Sequence, residues 1–329
     1  MLILLLSLLL QTSLYAQKHI GVFLHKNTFP SLADKQVFQA TQLACLEHEN
    51  ADVTCHFIDL EEFCAHPHDF KDVLLQTAVW IGPRRSEEAI KLLQTCKRVF
   101  KITPPILSFS NNPSLKKLGA RPIGPSPLME IALLMPTAYE HFSHRVLVFT
   151  PRPWSAATIA AVVTQAQQGS FYFFTYDSND LANATKQLHD ALKQCSPNVF
   201  LVPFGDNTTL QLMSEALAFM TKKVGIKPLI LGTSAWNDEF LNDVSLRGAI
   251  RSDIPLTTKG KKFVKTFQKL FHEKPLSVAI TAYDTTHIAI EMLQNGAQCS
   301  DYTFQTCRGK IELTREGECL YEIKLQKLK

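Results

Sequence analysis

No two glycines in this 329-residue chain lie two positions apart. The glycine-rich turns that cradle phosphates and dinucleotides are therefore missing. The GxSxG nucleophile elbow and the HExxH zinc helix are missing too. Eight cysteines are present but no CxxC, which argues against a zinc ribbon or a thioredoxin-type redox centre. The Asp, Glu and His residues fall into no paired acid–base arrangement, so no enzyme, metal or cofactor is expected. The run CAHPHD at 64–69 has two readings, a metal site and a solvated connection, and Pro67 favours the connection. Charge of one sign is also scarce: the net value is +4. The basic runs Arg84–Arg85, Lys116–Lys117 and 259–265 have no aromatic stripe between them, so they read as solvated helix faces rather than a nucleic-acid surface.

The chain also lacks an uncharged apolar run of the roughly 20 residues that span a bilayer. Residues 1–16, MLILLLSLLLQTSLYA, are leucine-rich and uncharged but shorter than that. They predict a signal peptide cleaved after Ala16 and an extracytoplasmic, periplasmic-type location. The absence of Lys or Arg at the start, and Leu14 at position −3, keep a second reading open: an uncleaved anchoring or buried segment. No cysteine stands at the cleavage point to carry a lipid. In an oxidising compartment cysteines pair. Cys299 and Cys307 flank a short loop and are the expected pair; Cys45, Cys96 and Cys195 fall on helical stretches, where pairing and buried free thiols both stay open.

What is present is a repeated unit. With 46% hydrophobic and 19% charged residues, the chain has a soluble globular composition and room for two domains. Residues 226–240, IKPLILGTSAWNDEF, read as a short buried strand, a turn at Gly232, a polar tip with Ser234 and Trp236, and the start of a helix. The same order recurs in four other segments, after strands near 78–81, 105–107, 145–149 and 199–202. The tips hold Ser86; Ser108, Ser110 and Asn111; Trp154; and Asp206. In an open α/β sheet, ligands bind beyond the strand carboxyl ends. Hydroxyls and helix N-termini hold a carboxylate without a cationic side chain; Trp154 suits an apolar ligand part and Asp206 an ammonium group. Each residue also has a structural reading: Ser86 as a helix N-cap, Trp154 as packing.

Proline-rich stretches at 120–127 and 252–257 separate two such arrays. The expected fold is α/β, with two doubly wound Rossmann-like lobes joined by three crossovers, the third near 304–309. Residues 17–122 with 257–303 form the first lobe. Residues 123–256 with 304–329 form the second, where 309–325 alternates as a hairpin turning at Glu316–Gly317.

Five patches carry a resemblance to a known family: VWIGPRRSEEAI, PPILSFSNNPSL, ILGTSAWND, AYDTTHIAIEML and FQTCRGKIELTREGE. In this order they resemble the periplasmic type I solute-binding proteins, the leucine/isoleucine/valine-binding group. The resemblance implies a protein that captures a small polar ligand, an amino acid or related carboxylate, between its lobes for a transporter permease or receptor. It implies that Ser86, Ser108, Ser110 and Asn111 hold the ligand's carboxylate and amine, that Trp154 covers it, and that Asp206 and Ser234 contact it from the second lobe, with Trp236 beside them. Residues 25–36 depart from the family's glycine-rich first loop, and Ser234 stands where amino-acid binders often place a carboxylate. The IGP and TSAWND tips are also similar to those of penicillin-binding protein activators, which share the fold. That second likeness implies an alternative: a ligand-free module that contacts a cell-wall synthase.

Overall fold

In the computed structural model, the described residues are 18–48, 53–101, 105–141, 145–152, 170–177, 179–203, 207–236, 241–295 and 302–329. Two compact units divide the chain: Met1–Gly124 with Leu256–Leu320, and Pro125–Pro255 with Tyr321–Lys329.

The first unit is built on strands β1 (Lys18–Leu24), β2 (Val53–Asp59), β3 (Thr77–Ile81), β4 (Ile106–Ser108) and β5 (Ala120–Pro122), in the order β2-β1-β3-β4-β5. Every pairing is parallel. Parallel strands need crossovers, and helices supply them here. The helix Leu32–Glu47 starts where Ser31 accepts a hydrogen bond from the Asp34 amide, a standard N-cap. One face of the sheet buries Phe23, Trp80, Leu92 and Ile106 in a single cluster. The helix Ser277–Gln294 is buried along most of its length and packs on Leu32–Glu47.

The second unit is built on β6 (Arg145–Arg152), β7 (Ser170–Asp177), β8 (Val199–Val202), β9 (Leu229–Gly232) and β10 (Ile250–Asp253). Strand β6 shows why the sheet is covered on both faces. Successive side chains on a strand point to opposite sides. Leu147 and Phe149 join Leu188, Phe200, Val202 and Leu212 on one side. Val146 and Val148 join Leu201, Leu231, Ile131 and Leu134 on the other. A parallel sheet buried on both faces reads as a continuous apolar run rather than an alternation, which is what VLVF and VFLV are.

The last part of the chain departs from expectation. Strands β11 (Tyr302–Thr306), β12 (Gly309–Leu313) and β13 (Cys319–Tyr321) form their own small sheet, and β14 (Lys324–Lys327) pairs antiparallel with β10. The chain passes between units at Leu320–Tyr321, not near 304–309. The reason is tertiary. Asp284, buried in the helix Ser277–Gln294, accepts the Cys307 amide at 2.8 Å, and the Thr257 amide donates to the Cys307 carbonyl at 2.9 Å. These bonds hold the β11–β12 hairpin to the first unit. Burial raises the Asp284 carboxyl above its ordinary range.

The cysteines differ as well. Cys45, on the helix Leu32–Glu47, is disulfide-bonded to Cys55 on β2. Cys307 is a free thiol, buried and pushed up by burial and by Asp284; Cys299, its expected partner, lies outside the described residues. Among the described residues no helix is long and apolar enough to cross a membrane.

Two histidine pairs sit in the first unit. His19 Nδ1 lies 2.7 Å from His56 Nε2, and His48 Nε2 lies 2.8 Å from His287 Nδ1. One proton serves each contact; two would place like charges together. Burial first, then the neighbouring imidazole, lowers His56. Burial likewise lowers His287, partly offset by the hydrogen bond to Glu47. The unfolded chain then takes up protons first as pH falls below about 6.5. Stability contributed by these neutral imidazoles is full above that pH and is lost as pH falls toward the depressed folded values. We expect the melting temperature to fall between pH 7 and 5, the unfolding free energy dropping by at most about 1.4 kcal/mol per pH unit for each imidazole. Circular dichroism melts of wild type and of a His56→Asn, His287→Asn double variant test this. The slope should flatten in the variant, and an unchanged slope overturns the assignment.

Candidate functional site

The carboxyl ends of β3 and β4 bring four expected residues together in the first unit. After β3 the chain turns through Gly82 and Pro83 into the helix Ser86–Val99. Ser86 was expected to cap that helix. Instead Arg85 holds the cap position, and its amide donates to the Glu88 carboxylate at 3.3 Å. Ser86 is the first helical residue, so its hydroxyl is not turned back onto the helix amides. It lies 3.0 Å from the Ser110 hydroxyl.

Ser108, at the end of β4, is fully buried. Its hydroxyl donates to the Pro83 carbonyl at 3.1 Å and accepts from the Ser110 amide at 3.2 Å. It ties the two tips together, and its single proton points at the protein. The Ser110 hydroxyl accepts from the Asn112 amide at 3.1 Å. Asn111 is exposed at the end of this tip. Gly124 passes against it so closely that a Cβ there would come within 2.9 Å of the Asn111 Cβ. Glycine at that position lets the loop close on the tip.

Beside these hydroxyls lies a charged network that the sequence reading missed. Asp34 is buried and accepts from Arg84 Nε at 2.8 Å, Arg85 Nη2 at 3.3 Å and Ser31 Oγ at 2.6 Å. Burial alone would raise the Asp34 carboxyl; the hydrogen bonds from Arg84 and Ser31 and the two guanidinium charges hold it below its ordinary range. His25 Nε2 lies 2.9 Å from Glu88 Oε1. The basic pair Arg84–Arg85 is therefore not simply a solvated helix face: two carboxylates, Asp34 and Glu88, balance two guanidiniums. The hollow between Leu24, His25, Asp34, Arg84 and Glu88 is only about 10 Å³, too small for a ligand. The one signal available in the sequence was the coincidence of a doubly basic tip with an unusual His25-to-Gln36 loop carrying Asp34.

In the second unit the tip after β9 is organised from below. Thr233 Oγ1 donates to the Pro203 carbonyl at 2.5 Å. The Ser234 amide donates to Glu130 Oε1 at 2.8 Å, and Ser252 Oγ donates to the same oxygen at 2.7 Å. Glu130 is buried in the helix Pro127–His141 and so joins the ends of β9 and β10. Ser234 itself is half-buried. Trp236 is 4% exposed and belongs to the core, with Nε1 donating to the Val202 carbonyl at 2.8 Å. Its indole covers Gly232, where any Cβ would fall inside the ring. The expectation that Trp236 lies open at the tip is corrected by this packing. Trp154 and Asp206 lie outside the described residues; Asp180 caps the helix Leu181–Cys195.

No protein-family model and no curated protein sequence matches the chain. Solved structures do. A leucine-binding protein of Thermotoga maritima matches with a TM-score of 0.69 at 15% identity, covering 95% of each chain. A solute-binding protein of Rhodopseudomonas palustris in complex with 3,4-dihydroxybenzoic acid matches with a TM-score of 0.72 at 16% identity, over 95% of this chain and 93% of that one. The chain has the type I periplasmic-binding fold. A branched-chain amino acid substrate-binding protein of Streptococcus pneumoniae, in complex with isoleucine, shares it with a TM-score of 0.67 at 15% identity, covering 94% and 96% of the two chains. In the type I periplasmic-binding fold the groups described above occupy the carboxyl ends of parallel strands. That is where doubly wound sheets place their ligand contacts. Of the two hydroxyl protons of the Ser86–Ser110 pair, one joins the two oxygens and the other can donate to a carboxylate, which only accepts.

Proposed function

We propose that this is an exported solute-binding protein that captures a small carboxylate at its strand tips and delivers it to a membrane transporter or receptor. The observation that carries the reading is the Ser86–Ser110 hydroxyl pair at the ends of β3 and β4, next to the start of the helix Ser86–Val99. Helix N-termini attract carboxylates through unpaired amides. The structural neighbours support it: they bind amino acids and hydroxybenzoates as components of transporters. Asn111, Ser234, Trp154 and Asp206 belong to the proposal as further contacts. Ser108 acts in it by positioning Ser110, and Trp236 by supporting the tip. The Cys45–Cys55 disulfide supports export, because disulfides persist in oxidising compartments.

The test is a thermal-shift screen of refolded, ligand-stripped protein against amino acids, aromatic carboxylates, sugars and inorganic anions. A true ligand at 100 times Kd stabilises by about 2.7 kcal/mol. The shift should disappear in Ser86→Ala and Ser110→Ala and persist in exposed Lys261→Ala. If no carboxylate shifts the melt and a pull-down recovers a cell-wall synthase instead, the proposal fails.

A further inference from the structure

We infer that the amino-terminal edge of the second sheet carries a separate site for a multiply charged, phosphate-class anion. Strand β9 begins just after Lys227 and Pro228, and β10 just after Arg247, Gly248 and Ala249. Strand β14 runs antiparallel to β10 and therefore ends on the same edge, with Lys327 opposite Ile250. Ile250 is in turn paired with Leu231 of β9. Three neighbouring strands thus deliver Lys227, Arg247 and Lys327 to one place. They line a hollow of about 190 Å³ whose floor includes Pro228, Leu229 and Ala249.

The electrostatics are one-sided. Among the described residues, no acidic one lines the hollow. All three cations are exposed, and among the described residues none is ion-paired. The acid nearest in sequence, Asp243, is turned onto its own loop, accepting from the Ser245 amide at 2.8 Å. The backbone amides at this edge are engaged within the sheet, Gly248 donating to Leu328 at 3.0 Å and Leu328 to Ala249 at 2.9 Å. Recognition therefore falls to the side chains.

Three like charges around one hollow repel until an anion enters. A carboxylate brings a single charge. A phosphate group brings roughly two, with three acceptor oxygens, and fits the guanidinium fork bidentately. The hollow is smaller than the roughly 300 Å³ of typical drug-sized ligand sites, which suits an anionic group rather than a whole metabolite. Because the contacts are exposed, affinity should fall with added salt. Doubly wound sheets place their ligands beyond the opposite, carboxyl ends of the strands, so this inference is independent of the carboxylate reading.

Two sources share this chemistry, a free phosphate compound and a phospholipid headgroup. The test uses both: calorimetric titration with inorganic pyrophosphate at low ionic strength, and flotation with phosphatidylglycerol vesicles against phosphatidylcholine vesicles. We expect saturable binding in at least one arm. Arg247→Gln should weaken it about tenfold, the loss of one charge-assisted pair. Binding should vanish when Lys227→Gln and Lys327→Gln are added. A control with Lys261→Gln, Lys265→Gln and Lys269→Gln makes an equal charge change in the first unit and should bind as wild type. Binding of pyrophosphate identifies the free anion as the source; binding of vesicles alone identifies the headgroup. Absence of binding in both arms overturns the inference, as does equal binding by the triple variant or equal loss in the control.

Discussion

Replacing Trp236 with alanine is expected to destabilise the protein by about 3–5 kcal/mol, the usual effect of removing a large buried aromatic side chain. The indole fills the space over Gly232 and packs among Phe200, Val202 and Met213 in the core of the second unit. Its Nε1 proton goes to the Val202 carbonyl, so the variant also leaves a buried acceptor unpaired, a deficit that adds to the cavity. Urea unfolding followed by circular dichroism measures the loss. Trp236→Phe, which keeps most of the volume but not the hydrogen bond, should lie between the two. A ligand-facing tryptophan would behave differently: the alanine variant would melt near wild type and lose ligand affinity. That outcome would show that the indole is not a core residue.

The second large effect is expected from the Cys45–Cys55 disulfide. It closes a short loop, with a sequence separation of 10, between a helix and the adjacent edge strand of the first sheet. Cross-linking a loop of about 15 residues or fewer removes unfolded-chain entropy worth about 3 kcal/mol. Among the described residues, strand β2 lies at the sheet edge and pairs with β1 alone, so few other restraints compensate. A Cys45→Ala, Cys55→Ala variant should lose about that much stability. Reduction of wild type with excess dithiothreitol should reproduce the loss and leave the variant's melt unmoved. Labelling of both thiols in the folded, unreduced protein would contradict the bond.

The two predictions mark where local sequence stopped being informative. The strands were legible because parallel strands covered on both faces become short, unbroken apolar runs. RVLVF, VFLV and LILG admit few other readings, and polar tips with good helix caps mark where each ends. The tip residues Ser86, Ser108, Ser110 and Ser234 were legible for the same reason: Ser108 ends β4, Ser110 and Ser234 lie two positions beyond their strands, and Ser86 opens the helix after β3.

What those residues do with their hydroxyls was not legible. Ser108 and Ser110 differ by two positions and have the same side chain. One is fully buried and faces a carbonyl of the neighbouring tip, while the other meets Ser86. Strand pairing decides that, and pairing joins residues 25 positions apart. Asp34 and Arg84 are 50 positions apart and Glu130 and Ser252 are 122 apart, so neither contact leaves a local pattern. The cysteine pair was misread for a similar reason. Proximity along the chain favoured Cys299 and Cys307, but pairing requires Cα atoms within about 7 Å. The packing of a helix on strand β2 brings Cys45 and Cys55 to 6.3 Å, while Asp284 draws Cys307 into the core as a thiol.

By itself, then, the sequence determined the alternation of strand and helix, the polar tips and the proline-rich junctions, because apolar periodicity, caps and turn residues act over a few positions. Tertiary structure alone decided which hydroxyls meet, that Trp236 packs in the core, where the chain makes its last passage and which cysteines pair. Each of those depends on strand order and register, which bring together residues tens to hundreds of positions apart.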